Sequence, residues 1–218
     1  MCGSGGKSSL CLALAKETQE AGKRAAITTT THIGTPCDPD TAVFVSENVL
    51  ELREIIKSGR IPIAGKREGS KLCFGGIDQF GLLLSETDTL YVEADGSKML
   101  PLKYPNSSEP VLPIQSDAIV TVCGLSALGR PLSEVCHRMP LACAAIPDLN
   151  SVADVDSIAA ILWEGYNRYD PVYVLNQADS EEQIKAGMMI KERLEQYGAH
   201  IVAMVSLRRM GLADKRFF

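Results

Sequence analysis

Apolar positions along the chain follow two alternating spacings, which predicts that helices and strands alternate as well. Apolar residues three or four positions apart predict helices over 8–22, 45–57, 77–86, 152–163 and 180–197. Short apolar or β-branched runs predict strands over 24–31, 60–64, 71–74, 88–93, 118–122, 171–175 and 199–205. This alternation is typical of an α/β fold with helices on both faces of a mainly parallel sheet, a three-layer arrangement.

Two local signals refine this plan. Ser46 is a plausible N-cap for the helix over 45–57, because a serine side chain can accept a hydrogen bond from the first turn. The runs at 60–64 and 71–74 flank the polar turn 66–69, which predicts a small β-hairpin inserted into the fold.

A Gly-rich loop opens the chain and leads directly into the predicted helix over 8–22. It reads Gly-Ser-Gly-Gly-Lys-Ser-Ser from Gly3 to Ser9. Glycines let backbone N–H groups close around a phosphate, and the N-terminus of the following helix favours the same anion. Lys7 can contact the outer phosphates, and the Ser8 hydroxyl can reach a Mg²⁺ ion. The loop therefore predicts nucleoside triphosphate binding.

Two observations weaken this interpretation. The full Walker A pattern would place its first glycine at Met1, so only Gly6, Lys7 and Ser8 match it strictly. No apolar run precedes the loop, so we expect the strand that should deliver it to be missing. The alternatives are a disordered Gly/Ser-rich terminus and a phosphate loop that is inactive for want of its strand.

Carboxylates follow the apolar strand predicted over 88–93. Glu93, Asp95 and Gly96 stand at its end, where an acid can bind the metal or orient water. The glycine N–H can contact the γ-phosphate, and the spacing from Glu93 to Gly96 resembles the D-x-x-G switch of GTP-binding proteins. The alternative is an ordinary Asp-Gly turn.

Four threonines, 28–31, end the strand predicted over 24–31. Their hydroxyls could ligate Mg²⁺ or contact the γ-phosphate, and Thr30 is the candidate metal ligand; alternatively, threonine simply favours strands. His32 follows, at the start of a Gly/Pro-rich loop over 32–40. It is a candidate contact for a second substrate or a structural hydrogen-bonding group.

Polar residues also follow the strand predicted over 171–175. Asn176 and Asp179 occupy the ends of Asn-Gln-Ala-Asp, which resembles the N-K-x-D base-recognition element of GTPases, with Gln177 in place of lysine. An aspartate there can accept hydrogen bonds from guanine, and the asparagine can tether neighbouring loops. The equally weighted alternative is that Asn176 and Asp179 cap the helix over 180–197.

The Pro-rich segment over 97–115 is irregular, and it is too long to serve only as a connecting loop. It carries Lys98, Lys103 and Glu109, just beyond the carboxylates of the preceding strand. Two cations there could bind phosphate or an anionic second substrate. The alternative is a pair of solvated surface lysines.

Composition narrows the function classes. The 218 residues suit one domain, 1–218, and the net charge of −5 with a pI near 5.3 predicts no nucleic-acid or membrane partner. No stretch approaches the roughly 20 apolar residues of a membrane span, and no signal peptide is recognised. Seven widely spaced cysteines without a C-x-x-C pair indicate reduced thiols in the cytoplasm, with a metal or selenium role possible for one of them.

Together these motifs resemble one family, the selenium-dependent hydroxylase accessory proteins of the YqeC-like group. The similar segments run from Gly3 to about Ser206. They are Gly-Ser-Gly-Gly-Lys-Ser, Thr-Thr-Thr-Thr-His-Ile, Glu-Ala-Asp-Gly-Ser-Lys, Pro-Leu-Lys-Tyr-Pro, Glu-Pro-Val-Leu-Pro and Asn-Gln-Ala-Asp. The resemblance implies a P-loop NTPase-like fold and a role in maturing molybdenum hydroxylases that carry labile selenium. It implies phosphate binding by Gly3, Gly5, Gly6, Lys7 and Ser8.

Two functions are compatible with these residues. One is an Mg²⁺-dependent nucleoside triphosphatase or ligase-like enzyme using ATP or GTP. The other is a non-catalytic, nucleotide-gated delivery protein for the hydroxylase or its cofactor. The predicted catalytic residues are Lys7, Glu93 and Asp95. The predicted nucleotide-binding residues are Gly3, Gly5, Gly6, Lys7, Ser8, Ser9, Gly96, Asn176 and Asp179. The predicted metal ligands are Ser8, Thr30 and Glu93.

Overall fold

The structure is a computed structural model that describes residues 1–34 and 43–210. The α-helices in these ranges are α1 (Lys7–Glu20), α2 (Val49–Lys57), α3 (Ile77–Glu86), α4 (Leu132–Val135), α5 (Met139–Ala145), α6 (Val155–Tyr166) and α7 (Glu181–Tyr197). The strands are β1 (Cys2–Gly3), β2 (Ala25–Thr29), β3 (Ile33–Gly34), β4 (Val43–Ser46), β5 (Ile61–Ala64), β6 (Lys66–Glu68), β7 (Lys71–Cys73), β8 (Thr89–Glu93), β9 (Leu102–Lys103), β10 (Val120–Gly124), β11 (Cys136–His137), β12 (Val172–Asn176) and β13 (Val202–Met204). Most of the predicted loop over 32–40 lies outside the described residues.

Parallel pairing dominates the strands. Two four-stranded sheets, in the orders β1-β10-β12-β13 and β4-β5-β2-β8, contain only parallel neighbours. A three-stranded antiparallel sheet has the order β3-β7-β6, and β9 pairs with β11 in parallel. The predicted α/β class with mainly parallel strands is confirmed.

Contacts divide the described chain into two compact units. The first unit contains residues 1–7 and 96–210, and the second unit contains residues 8–34 and 43–95. The first unit therefore holds the sheet β1-β10-β12-β13, and the second unit holds the sheet β4-β5-β2-β8.

The core of the first unit lies between its sheet and helices α6 and α7. Its largest buried side chains include Tyr166 of α6 and Tyr173 of β12. Helix α7 begins with a capping box, in which the Ser180 hydroxyl accepts from the Gln183 N–H while the Gln183 side chain accepts from the Ser180 N–H. It ends at Gly198, whose φ of 113° favours glycine.

The first unit also contains a strand that the sequence did not predict. Cys2 and Gly3 form β1 and pair in parallel with Thr121 and Val122 of β10. The expectation that the N-terminal Gly-rich loop lacks a preceding strand is therefore wrong. A strand of two residues is too short to show the alternation of apolar and polar side chains by which strands are predicted. Strand β1 is defined only by its pairing with β10.

The core of the second unit is formed by helices α2 and α3 and the sheet beneath them. Leu52 and Ile56 of α2 pack with Leu82 and Leu83 of α3 and with Ala64 of β5. These positions follow the helical spacing of apolar residues that predicted both helices.

The predicted start of the helix over 45–57 is wrong. Residues 43–46 form strand β4, paired in parallel with β5, and the helix is capped by Asn48. The Asn48 Oδ1 accepts hydrogen bonds from the backbone N–H groups of Leu50 and Glu51. Ser46 instead donates its hydroxyl to the Glu51 carboxylate. Residues 45 and 46, which helical spacing alone assigned to the first turn of the helix, instead pair with β5 as part of strand β4.

The predicted hairpin has a different first strand. Residues 60–64 do not pair with 71–74, because β5 lies between β4 and β2 in the parallel sheet. Ile61 and Ile63 are both buried there. The hairpin consists of β6 and β7 around the polar turn at Gly69, whose φ of 60° favours glycine.

The described ranges contain neither a helix that could span a membrane nor a disulfide. None of the helices within residues 1–34 and 43–210 has the length and apolar character needed to cross a membrane. No disulfide links the six cysteines in those ranges, and Cys37 lies outside them.

Candidate functional site

The N-terminal loop of the first unit is built on a close approach of two backbones. Gly3 and Gly5 have φ values of 83° and 75°, in the left-handed region that favours glycine. A Cβ on Gly3 would lie 2.2 Å from the Val122 carbonyl oxygen, and one on Gly5 would lie 2.1 Å from the Gly124 nitrogen. The Ser4 N–H donates to the same Val122 oxygen at 2.8 Å. Both glycines are therefore required by conformation and by space.

Two side chains hold this loop in place. Lys7, the first residue of α1, donates its ammonium to the Gly3 carbonyl oxygen at 2.8 Å and is only 5% exposed. Asn176, the last residue of β12, donates its side-chain amide to the Gly5 carbonyl oxygen at 2.8 Å. Gly6 has a φ of 114°, and a Cβ there would lie 2.5 Å from that amide nitrogen. The structure thus brings Gly3, Gly5, Gly6, Lys7 and Asn176 together.

Sequence reasoning missed two residues that shape this site, one in the loop and one at the end of β10. Ser4 is 1% exposed, and its hydroxyl oxygen forms no hydrogen bond to any residue in the described ranges. Gly124, at the end of β10, lets Gly5 approach closely. A glycine that ends an apolar strand is a usable signal for Gly124, whereas Ser4 shows its burial only in the structure. A buried hydroxyl without a protein partner is a group that a bound ligand can satisfy.

Asn176, at the end of β12, and Asp179, beyond it, do not cap helix α7. Ser180 is the N-cap, so the capping alternative for Asn176 and Asp179 is wrong. The Ser206 hydroxyl donates to the Asp179 carboxylate, and the Leu207 N–H reaches the Asn176 side-chain oxygen at 3.4 Å. Asn176 therefore tethers the loop after β13 as well as the N-terminal loop.

In the second unit, the threonines at the end of β2 contact the end of β8. The Thr29 hydroxyl and the Thr30 N–H both donate to the Glu93 carbonyl oxygen, each at 3.0 Å. Glu93 is 3% exposed and Asp95 is 1% exposed. Carboxylates buried this deeply are rare and are normally paired or bound to a metal. The structure therefore brings Thr30 to Glu93, two of the predicted metal ligands.

The two serines of α1 nearest the loop also belong to the second unit. Ser8 is half-buried, and Ser9 is buried. The Ser9 hydroxyl oxygen makes no hydrogen bond within residues 1–34 and 43–210. Both lie in the first turn of a helix, where backbone N–H groups lack partners inside the helix.

Lys103 and Glu109, in the Pro-rich segment of the first unit, form a buried ion pair. The Lys103 ammonium lies 2.8 Å from the Glu109 carboxylate and donates to the Gly96 carbonyl oxygen at 2.6 Å. Arg138 contacts both oxygens of the same carboxylate. Burial acts to raise the pKa of Glu109, but hydrogen bonds and charge from Lys103 and Arg138 outweigh it and lower the pKa. Lys98 is exposed, so the two predicted second-substrate lysines have different surroundings.

His32 lies in the second unit, at the start of β3. Its Nε2 atom is 3.1 Å from the Glu68 carboxylate on β6, and both side chains are more than half exposed. Sequence reasoning found no partner for His32, because the contact depends on the register of three strands.

Comparison with known proteins identifies relatives of this chain. A family model described as YqeC protein matches residues 1–140. A protein of Escherichia coli (strain K12) described as uncharacterized protein YqeC is 34% identical over 144 residues. That alignment covers 62% of this chain and 55% of the relative, so the chain spans about half the length of the relative it matches. The matched residues include the N-terminal loop and the carboxylates that follow β8.

The close approach of Gly5 to β10 gives a prediction about stability. We expect Gly5→Ala to lower the melting temperature more than Gly22→Ala does. Both glycines have a φ near 75°, so both substitutions force an L-residue into the left-handed region, at roughly 1–2 kcal/mol. Only Gly5 also meets backbone atoms, since a Cβ on Gly22 meets nothing within 4 Å. Differential scanning calorimetry of both variants makes the comparison, and equal melting temperatures would contradict the described loop packing.

The partly buried carboxylate of Glu109 gives a prediction about pH. A pKa lowered in the folded state contributes stability above the ordinary value of 4.5 and loses it as pH falls through the folded-state pKa. Glu109→Gln should therefore be less stable than the wild type at neutral pH but should lose less stability on acidification below pH 4.5. Urea unfolding at several pH values measures this difference. The matched control is Glu192→Gln, an exposed position on α7, which should follow the wild-type curve; a Glu109→Gln curve parallel to it would refute the prediction.

Proposed function

This chain belongs to the YqeC protein family, and from that premise we propose that its N-terminal loop binds the phosphates of a nucleoside triphosphate. The observation that supports this most is the fixed loop Gly3–Lys7. Gly3, Gly5 and Gly6 all have left-handed φ values, and each lies against β10 or Asn176, which a merely flexible terminus would not require.

The chemistry of the loop suits an anion. The Gly3 and Gly5 carbonyl oxygens accept hydrogen bonds from Lys7 and Asn176. The partial negative charges of these two oxygens are therefore directed at protein donors. The N-terminus of α1 adds backbone N–H groups and the positive end of its dipole. A phosphate oxygen can then replace the Gly3 carbonyl as the acceptor of the Lys7 ammonium, in a stronger, charge-assisted hydrogen bond. The Ser4 hydroxyl is a further donor in the same loop.

The predicted metal ligands suit Mg²⁺ by their chemistry. The carboxylates of Glu93 and Asp95 and the hydroxyls of Ser8 and Thr30 are hard oxygen donors, which Mg²⁺ prefers. Mg²⁺ supplied with ATP or GTP would neutralise phosphate charge. In this proposal Glu93 or Asp95 holds the metal or orients water, and Lys7 stabilises negative charge on the transferred phosphoryl group. The Gly96 N–H is the proposed γ-phosphate contact.

Base recognition is assigned to the loops after β12 and β13. Asp179 is held by Ser206 at one oxygen, and its other oxygen can accept from a base. Asn176 links both loops to the phosphate loop. Gln177 replaces the lysine of the GTPase element, so ATP and GTP are both substrates to be tested.

The wider role follows from the family resemblance. We propose that the chain is an Mg²⁺-dependent nucleoside triphosphatase that acts as an accessory factor in the maturation of selenium-dependent molybdenum hydroxylases. A cytoplasmic location fits this role. The second candidate is a nucleotide-gated delivery protein that hydrolyses slowly. The depth at which Glu93 and Asp95 are buried favours this second candidate, because water reaches such carboxylates poorly.

Lys7 tests the phosphate site directly. Lys7→Ala should weaken ATP or GTP binding at least tenfold, since a hydrogen bond to a charged group contributes about 1.5–3 kcal/mol. Calorimetric titration with Mg²⁺-nucleotide measures the affinity of each variant. Lys23→Ala, which removes an exposed lysine just beyond α1, is the matched control and should bind as the wild type does. Unchanged binding by Lys7→Ala would exclude the phosphate-loop interpretation.

Turnover separates the two candidate functions. An enzyme should release phosphate steadily over many turnovers, and Glu93→Gln should reduce that rate while leaving nucleotide affinity within about threefold, because the acid acts on metal or water. A gated carrier should bind tightly and release about one phosphate per chain before stalling. A phosphate-release assay in excess nucleotide, with and without a partner hydroxylase, distinguishes these outcomes. Rapid release that Glu93→Gln leaves unchanged would rule out the role given to this carboxylate.

A further inference from the structure

Three side chains able to bind metal converge on one face of the small antiparallel sheet in the second unit. In this sheet β7 lies between β3 and β6, and Ile33 pairs with Leu72. That register places His32 opposite Cys73. Glu68 lies on β6 two positions from the residue that pairs with Cys73, so it shares the same face. His32 and Glu68 therefore approach each other across the central strand, above Cys73.

The distances among the three donors are short. The His32 Nε2 atom lies 3.1 Å from the Glu68 carboxylate, and the Cys73 sulfur lies within 4.8 Å of both groups. His32 and Glu68 are exposed, whereas Cys73 is half-buried beneath them. An exposed ion pair explains the contact between His32 and Glu68. The Cys73 thiol donates to the Lys66 carbonyl oxygen at 3.4 Å, and its sulfur also lies close enough to both side chains to share a metal ion with them.

We propose that His32, Glu68 and Cys73 form a binding site for a divalent transition-metal ion of the zinc type. Imidazole nitrogen, thiolate sulfur and carboxylate oxygen are the three ligand types that Zn²⁺ takes in proteins. A thiolate ligand selects Zn²⁺ over Mg²⁺, which prefers oxygen alone. The thiolate and the carboxylate together carry two negative charges, which match the charge of the ion.

Small adjustments complete the geometry. Tetrahedral bonds of about 2.0–2.3 Å place ligand atoms roughly 3.3–3.8 Å apart. The three donors here lie within 4.8 Å of one another, so small movements bring them into this range. His32 and Glu68 can rotate to reach these distances because both are exposed. On binding, the S–H bond of Cys73 breaks as the sulfur–metal bond forms, and the proton passes to the buffer. Three protein ligands leave a fourth position for water or an anionic ligand.

This site is independent of the proposed phosphate site. Its ligands come from β6, β7 and the residue before β3, and none belongs to the N-terminal loop. Loss of nucleotide binding in Lys7→Ala would therefore leave metal binding unchanged, and the two proposals can fail separately.

Cobalt titration of the full chain tests the site, because Co²⁺ takes the place of Zn²⁺ and absorbs light. One Co²⁺ per chain should give a thiolate-to-cobalt charge-transfer band and visible bands typical of tetrahedral cobalt, and Zn²⁺ should abolish both. Cys73→Ser should remove the charge-transfer band. His32→Ala and Cys73→Ser should each weaken Zn²⁺ binding at least about tenfold. Loss of a residue that only hydrogen-bonds to a metal ligand already costs about that much, so loss of the ligand itself should cost no less.

Matched controls use an exposed cysteine and an exposed histidine elsewhere in the chain. Cys143→Ser and His200→Ala should keep the band and the affinity of the wild type. Circular dichroism of every variant shows whether it is folded, and the surface position of the triad predicts that all are. The proposal is overturned if the wild type shows no charge-transfer band. It is also overturned if a folded Cys73→Ser keeps the band, or if Cys143→Ser loses it.

Discussion

The contact between the N-terminal loop and the end of β10 is the constraint on which the candidate site depends. A Cβ on Gly5 would lie 2.1 Å from the Gly124 nitrogen, so Gly5 cannot carry a side chain there, and Gly3 meets Val122 in the same way. The Asn176 side chain then fixes the loop from the neighbouring strand. A loop held at three points is already ordered before a ligand arrives, so little conformational entropy is lost on binding.

Buried charge is the second organising feature, and it has two forms. Lys103 and Arg138 both contact the Glu109 carboxylate inside the first unit, so the deeply buried Lys103 ammonium has a charged partner within the protein. Lys7 contacts a backbone carbonyl, whose partial charge is weaker than that of a phosphate oxygen.

The sequence predicts most elements of this fold but few of its long-range contacts. The amphipathic pattern and Ser180 locate α7 closely, because both signals are local. Local patterns do not predict the short strands β1, β3, β4, β9 and β11, since their identity rests on pairing with other strands. For the site, glycine and lysine spacing predicts the loop. The triad of His32, Glu68 and Cys73 and the role of Ser4 depend on register and burial, which local patterns do not contain.

The central claim is that the loop at the start of the chain holds the phosphates of a nucleotide. Backbone amide NMR of the full chain, recorded while Mg²⁺-ATP and Mg²⁺-GTP are added, tests it most directly. The account predicts that one of these nucleotides shifts the amide signals of Gly5, Gly6 and Ser8 most strongly, because phosphate oxygens accept from those N–H groups. Saturable binding that leaves the loop amides unshifted and moves signals elsewhere would contradict the account.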